Sequence, residues 1–153
     1  MHEIDISSLP FRDYCALIRH HIKAQWQAEW NLQVNNKLYT IKPALGEWES
    51  ARHRERFYEV VLCRLRIGHT RLTHGHLLRG EDPPECERCQ EPLTIQHILV
   101  QCSAYDEKRR DYFSQLYREH VPLHICVLLC DEPLVPHSQA FVFLEGIGIL
   151  RQL

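Results

Sequence analysis

CERCQEPLTIQHILVQC, residues 86–102, holds three of the chain's seven cysteines and one histidine, and two prolines stand just ahead of it in "EDPPEC". The spacing runs Cys86, two residues, Cys89, seven residues, His97, four residues, Cys102. A two-residue gap lets both sulfurs of one tight turn face the same ion, and zinc favours a closed tetrahedron of thiolates and imidazole. Thr94 is placed to cap a short helix that carries His97 in its first turn and Cys102 at its end. Cys86, Cys89, His97 and Cys102 are therefore the candidate ligands of a structural Zn2+ ion, a CCHC knuckle with a lengthened middle. Four protein ligands leave no open position for water, so such an ion staples the chain and does no chemistry. Three thiolates and a neutral imidazole around a dication leave one negative charge, which Arg88 or the Arg109 and Arg110 pair can offset. In zinc-finger peptides a site of this kind is worth on the order of 10 kcal/mol of folding free energy.

The bulk properties agree with a small, metal-stapled domain. At 153 residues the chain has the length of one domain, and 44% hydrophobic with 25% charged residues excludes wholesale disorder. The N-terminus lacks a basic segment followed by an apolar run, and "VPLHICVLLC" (121–130) is about half the ~20 residues a membrane span needs. The expected location is intracellular, nuclear or cytoplasmic, with no membrane partner. Thiols stay reduced there, and an odd number of them argues for ligands and packing rather than a disulfide framework.

A net charge of −2 says nothing in favour of a polyanion, but its distribution does. Between residues 51 and 80, Arg52, Arg54, Arg56, Arg64, Arg66, Arg71 and Arg79 stand against only Glu55 and Glu59. The middle of the chain is a basic block.

Periodicity places these motifs in a mainly α fold, a small helical bundle stapled by the zinc site. Tyr14, Ile18, Ile22, Trp26 and Trp30, with Leu17, form a wide stripe that predicts a core-facing helix over 10–34. Pro43 and Gly46 break the period and mark a connector. A second helix is expected over 51–67, burying Phe57, Val61 and Leu65 while Arg52, Arg56, Glu59, Cys63 and Arg66 face solvent. Gly68 ends it, and "HTRLTHGHLLRG" reads as a short helix stopped at Gly80. Tyr105, Tyr112, Phe113 and Leu116 mark a further helix, and "HSQAFVFLEGIGILRQL" a last one weakened by Gly146 and Gly148. The expected organisation is a single domain, 1–153: an N-terminal helix and connector (1–50), a basic helical segment (51–80), the knuckle (81–103) and C-terminal helices (104–153).

Other clusters carry less. His69, His74 and His76 have no cysteine or carboxylate nearby to complete a second metal site, and Cys15, Cys63, Cys126 and Cys130 read as packing residues. There is no GxSxG, HExxH or phosphate-binding GxxxxGK motif, so the chain does not read as an enzyme.

Two stretches, "WQAEWNLQVNNKLYTIKPALGEWES" (26–50) and "VVLCRLRIGHTRLTHGHLLRGEDPPECERCQEPLTIQHILVQCSAY" (60–105), resemble the extreme C-terminal, zinc-knuckle-like region of non-LTR (LINE-like) retrotransposon reverse transcriptase polyproteins, downstream of their ribonuclease H domain. The resemblance spans roughly residues 9–118 and is most specific in "RLRIGHTRLTH" and the CCHC set. It implies Cys86, Cys89, His97 and Cys102 as zinc ligands, with Arg64, Arg66, His69, Arg71 and His74 as the basic motif ahead of them. It also implies a module that meets nucleic acid in an element that copies its RNA at a genomic target. The paired aspartates of a polymerase and the acidic set of ribonuclease H are missing, so neither activity is expected of this chain.

The leading expectation is a non-catalytic module that binds RNA or single-stranded DNA through Arg52, Arg56, Arg64, Arg66, His69, Arg71, His74, Arg79 and Arg88. The runner-up is a docking domain that packs the Trp26 and Trp30 helix against a reverse transcriptase or ribonuclease H domain of the same polyprotein.

Overall fold

The structure, a computed structural model, describes residues 10–48 and 55–153. Its elements are helical, and among the described residues the only β pairing is an isolated bridge between Glu85 and Pro92. The chain forms two compact units, Met1–Glu47 and Trp48–Leu153.

The first unit holds α1 (Phe11–Asn31) and the single turn α2 (Lys37–Ile41). Pro10 supplies the fixed φ that suits a helix start, and Asn36 caps α2 by accepting from the Leu38 amide at 2.9 Å. The connector is tied to α1 by polar contacts. Gln27 donates to the Pro43 carbonyl at 2.7 Å and accepts from the Leu45 amide at 2.7 Å, while the Trp30 indole donates to the Lys42 carbonyl at 2.9 Å. The long apolar stripe of α1 is not core. Tyr14, Leu17, Ile18, Ile22 and Trp26 are exposed, between 39% and 63%, and no residue of the helix is buried. The spacing correctly implies an apolar face, but periodicity cannot show whether anything covers it.

The second unit has a packed core. α3 (Arg56–Ile67) buries Val61, Leu62 and Leu65 and ends at Gly68, whose φ of +78° a Cβ would disfavour. Phe57, expected inside, is 44% exposed. Thr70 caps α4 (Arg71–Arg79) through a reciprocal exchange with Thr73, and Gly80 stops it. After the Cys/His segment come α5 (Asp106–Tyr112), α6 (Ser114–Arg118), α7 (Ile125–Leu129) and α8 (His137–Gly146). The expected helix around Tyr112 is thus broken at Phe113, and α8 stops at Gly146 instead of running to the last residues. Phe143 on α8 is the hub of this core, with ring centroids 5.2 Å from Phe113, 6.1 Å from Tyr112 and 6.4 Å from Tyr105.

Arg66 corrects the reading of α3. It was expected on the solvent-facing, nucleic-acid side, yet it is buried, and its guanidinium donates to the carbonyls of Leu129 (2.8 Å) and Cys130 (3.2 Å). It also lies 3.9 Å from the centre of the Trp48 ring. Burial pushes its pKa down to about 10, partly offset by Asp131, so it remains charged at neutral pH. A charged arginine saturated by carbonyls and an aromatic face is a brace between α3 and the end of α7, unavailable to phosphate.

Candidate metal centre and basic residues

The segment 84–102 folds back on itself before it reaches the core. The Cys86 amide donates to Glu91 (2.8 Å), Gln90 to Cys86 (2.8 Å) and Leu93 to Pro84 (2.9 Å), closing a tight loop that places Cys86 and Cys89 on one turn. Gln90 takes φ +56°, a left-handed conformation that glycine adopts at least cost. Thr94 caps the next turn as expected, its hydroxyl accepting from the His97 amide at 3.0 Å.

That turn is not α-helical. Residues His97–Gln101 form a π-helical turn in which the Cys102 amide reaches back five residues to His97 at 2.7 Å. In an α-helix, residues five apart point about 140° away from each other. Widening the turn brings His97 and Cys102 toward one side, as a shared ion requires. It also leaves the Ile98 carbonyl without the Cys102 amide that an α-helix would supply. Arg109, fully buried on α5, takes up that carbonyl at 3.3 Å and also donates to the Cys102 carbonyl and the Asp106 carboxylate. The arginine expected to offset the charge of the site is therefore also its structural latch, a role that no spacing in the sequence announces.

Cys86, Cys89, His97 and Cys102 lie close enough together to hold a metal ion, with all four donor atoms within 4.8 Å of one another. Cys102 Sγ stands 3.6 Å from Cys86 Sγ and 3.8 Å from Cys89 Sγ. A tetrahedral ion with metal–sulfur bonds of about 2.3 Å requires sulfur–sulfur edges of about 3.8 Å, so the thiols already stand at ligand spacing. His97 Nε2 is buried and has no hydrogen-bond partner among the described residues, a costly arrangement for a ring nitrogen unless a ligand takes its lone pair. The donor set fits a soft, tetrahedral cation.

The thiols differ in their surroundings. Burial pushes Cys102 up to about 11. The Ser103 hydroxyl, 3.4 Å from Cys89 Sγ, and then the Ser103 amide hold Cys89 below its ordinary value. Hydrogen bonds of this kind from outside the ligand set steady a thiolate and orient it.

The residues expected to meet nucleic acid differ in their exposure and partners. Arg52 lies outside the described residues. Arg56, Arg71 and Arg88 are exposed and form no ion pair among the described residues. Arg64 donates to the Leu153 carbonyl at 2.7 Å, Arg79 pairs with Glu81 at 2.6 Å, and Arg66 is the buried brace described above. His69 and His74 stack with ring centroids 3.7 Å apart, and His74 Nδ1 lies 2.7 Å from the Thr73 hydroxyl. With His76 they form no second metal-binding group among the described residues. Arg88 and Arg110 share a cleft of about 540 Å³ with Ser103, Asp106 and Glu107, next to the cysteines. No described helix is long and apolar enough to cross a membrane. Compared with known proteins, the chain matches no family model, no curated protein and no solved structure.

Proposed function

We propose that the chain is a non-catalytic zinc-binding module that contacts RNA or single-stranded DNA, derived from the region downstream of ribonuclease H in a non-LTR retrotransposon polyprotein. The observation that carries the metal half is the convergence of three thiols and an orphaned imidazole nitrogen, with sulfur–sulfur separations of 3.6 and 3.8 Å. Three cysteines and a histidine favour zinc, and four protein ligands leave it a staple with no open position for substrate. Bound there, the ion would be held by Cys86, Cys89, His97 and Cys102, and it would lock the knuckle onto the π-helical turn. Arg88, Arg71 and Arg56 support the nucleic-acid half, because exposed guanidinium groups without a carboxylate partner are the ones that can neutralise phosphate.

The test is a titration of the zinc-loaded chain with labelled single-stranded RNA and DNA at two salt concentrations. Binding should weaken steeply with salt, and Arg71→Gln and Arg88→Gln should each lower the salt slope by about one. Absence of affinity at low salt would overturn the reading.

A docking role is favoured by a separate observation, the exposed face of α1 that runs through Tyr14, Leu17, Ile18, Ile22 and Trp26. In that reading the zinc only holds the second unit together, and the partner is a reverse transcriptase or ribonuclease H domain of the same polyprotein. Pull-down of the chain with those domains, and its loss in an Ile18→Asp, Ile22→Asp variant, separates this role from nucleic-acid binding.

A further inference from the structure

Within the first unit, Trp26, Glu29, Trp30 and Gln33 stand at i, i+3, i+4 and i+7 and so share one face of α1 and the turn that follows it. With Leu45 from the connector they line a groove of about 320 Å³, at the small end of ligand-site volumes. The groove is built rather than incidental. The Trp30 ring is anchored by its indole N–H on the Lys42 carbonyl (2.9 Å) and by an edge contact with Tyr39 (5.7 Å between centroids). Leu45 is held in place by the bond from its amide to Gln27 (2.7 Å). Trp26 is 63% exposed, and Glu29 forms no ion pair among the described residues.

We propose that this groove binds the side chain of an arginine from a partner polypeptide. The chemistry is complementary in each part. Indole faces carry negative quadrupole density that attracts a cation, and a planar guanidinium stacks on them better than an ammonium does. The Glu29 carboxylate accepts the charge-assisted hydrogen bonds that a guanidinium fork donates, and the Gln33 side-chain carbonyl offers a further acceptor. The same carboxylate disfavours the other ligand that aromatic rings attract, a nucleobase, because it would repel the phosphate that accompanies it. The inference does not depend on zinc or on the basic residues of the second unit.

The test uses the full chain, zinc-loaded and 15N-labelled, so that each of the three tryptophans reports through its own indole N–H signal. Titration with N-acetyl-arginine methylamide should move the Trp26 and Trp30 signals saturably and leave Trp48, already occupied by Arg66, unmoved. N-acetyl-citrulline methylamide, the neutral isostere, should bind at least about tenfold more weakly. Glu29→Gln should weaken arginine binding about fivefold and Trp26→Ala should abolish the response, while Trp26→Phe should keep part of it. Equal binding of citrulline, no effect of Glu29→Gln, stronger shifts with uridine monophosphate, or signals that move with protein concentration alone would each overturn the proposal.

Discussion

The loop 84–93, which carries Cys86 and Cys89, and the α5–α8 core sit in the same unit but are held together by different physics. The core is held by area: Phe113, Leu116, Leu128, Leu129, Phe143 and Leu144 are all essentially excluded from water. The loop 84–93 has little area to offer, in contrast to Ile95, Ile98 and Leu99 just after it, which are core. Cys86 and Cys89 are half-buried, and Gln90, Glu91 and Pro92 are exposed. The loop is held by a few hydrogen bonds of its own and by the approach of Cys86 and Cys89 to His97 and Cys102 on the π-helical turn, which Ile95, Ile98, Leu99 and the buried Arg109 fix in the core. The difference teaches that the same unit should fail in two separable ways, one set by packing and one by coordination.

The largest expected effect is loss of the metal. Cys102→Ser, or a strong chelator, should remove one zinc per chain and with it a contribution on the order of 10 kcal/mol, read by elemental mass spectrometry. Amides of the loop 84–93 should then exchange hydrogen rapidly while those of α8 keep more of their protection. Equal loss in both would erase the distinction between the two regions.

Phe143→Ala attacks the other side. Removing the ring at the centre of three aromatic contacts should cost about 3–5 kcal/mol in denaturant unfolding, with zinc stoichiometry unchanged under native conditions.

Arg109 ties α5 to the π-helical turn toward which Cys86 and Cys89 converge, so its replacement sharpens the comparison instead of choosing a side. Arg109→Leu should cost about 3 kcal/mol, because the Ile98 and Cys102 carbonyls lose their donor, and should weaken zinc about 10- to 100-fold in competition with a chelating dye.

The pH response should have opposite signs with and without metal. In the metal-free chain the folded state holds Cys102 protonated up to about 11, above the ordinary 9.0. That stabilisation is complete below pH 9 and is lost as the pH rises toward 11. In the loaded chain the thiols are deprotonated by the ion, so stability should instead rise from pH 6 to 8 as protons stop competing. Urea midpoints across the two ranges, with and without chelator, check both slopes.

The smallest effect is local. Gln90→Gly relieves a left-handed backbone at the knuckle and should stabilise the loaded chain by about 0.5–1 kcal/mol, net of the lost bond from the Gln90 amide to the Glu87 carbonyl.

Much of this was legible in the chain itself. Local chemistry announces itself locally: the Thr94 cap, the glycine stops at Gly68 and Gly80, the helical periods and the four ligand candidates all depend on residues within a few positions of one another. Arg66 and Arg109 did not, because an arginine has the same letter whether its head meets phosphate or a buried carbonyl. Their partners lie 63 and 11 residues away in the Leu129 and Ile98 carbonyls.

The sequence by itself determined the helical class, the main helix ends and the cysteine and histidine set, since these follow from spacing, backbone conformation and side-chain type. Tertiary structure alone decided which arginines were removed from solvent, that the apolar stripe of α1 stayed exposed, and that a π-helical turn brought His97 to Cys102. Each of those outcomes depends on which groups from distant parts of the chain compete for the same carbonyl, the same apolar surface or the same few cubic ångströms.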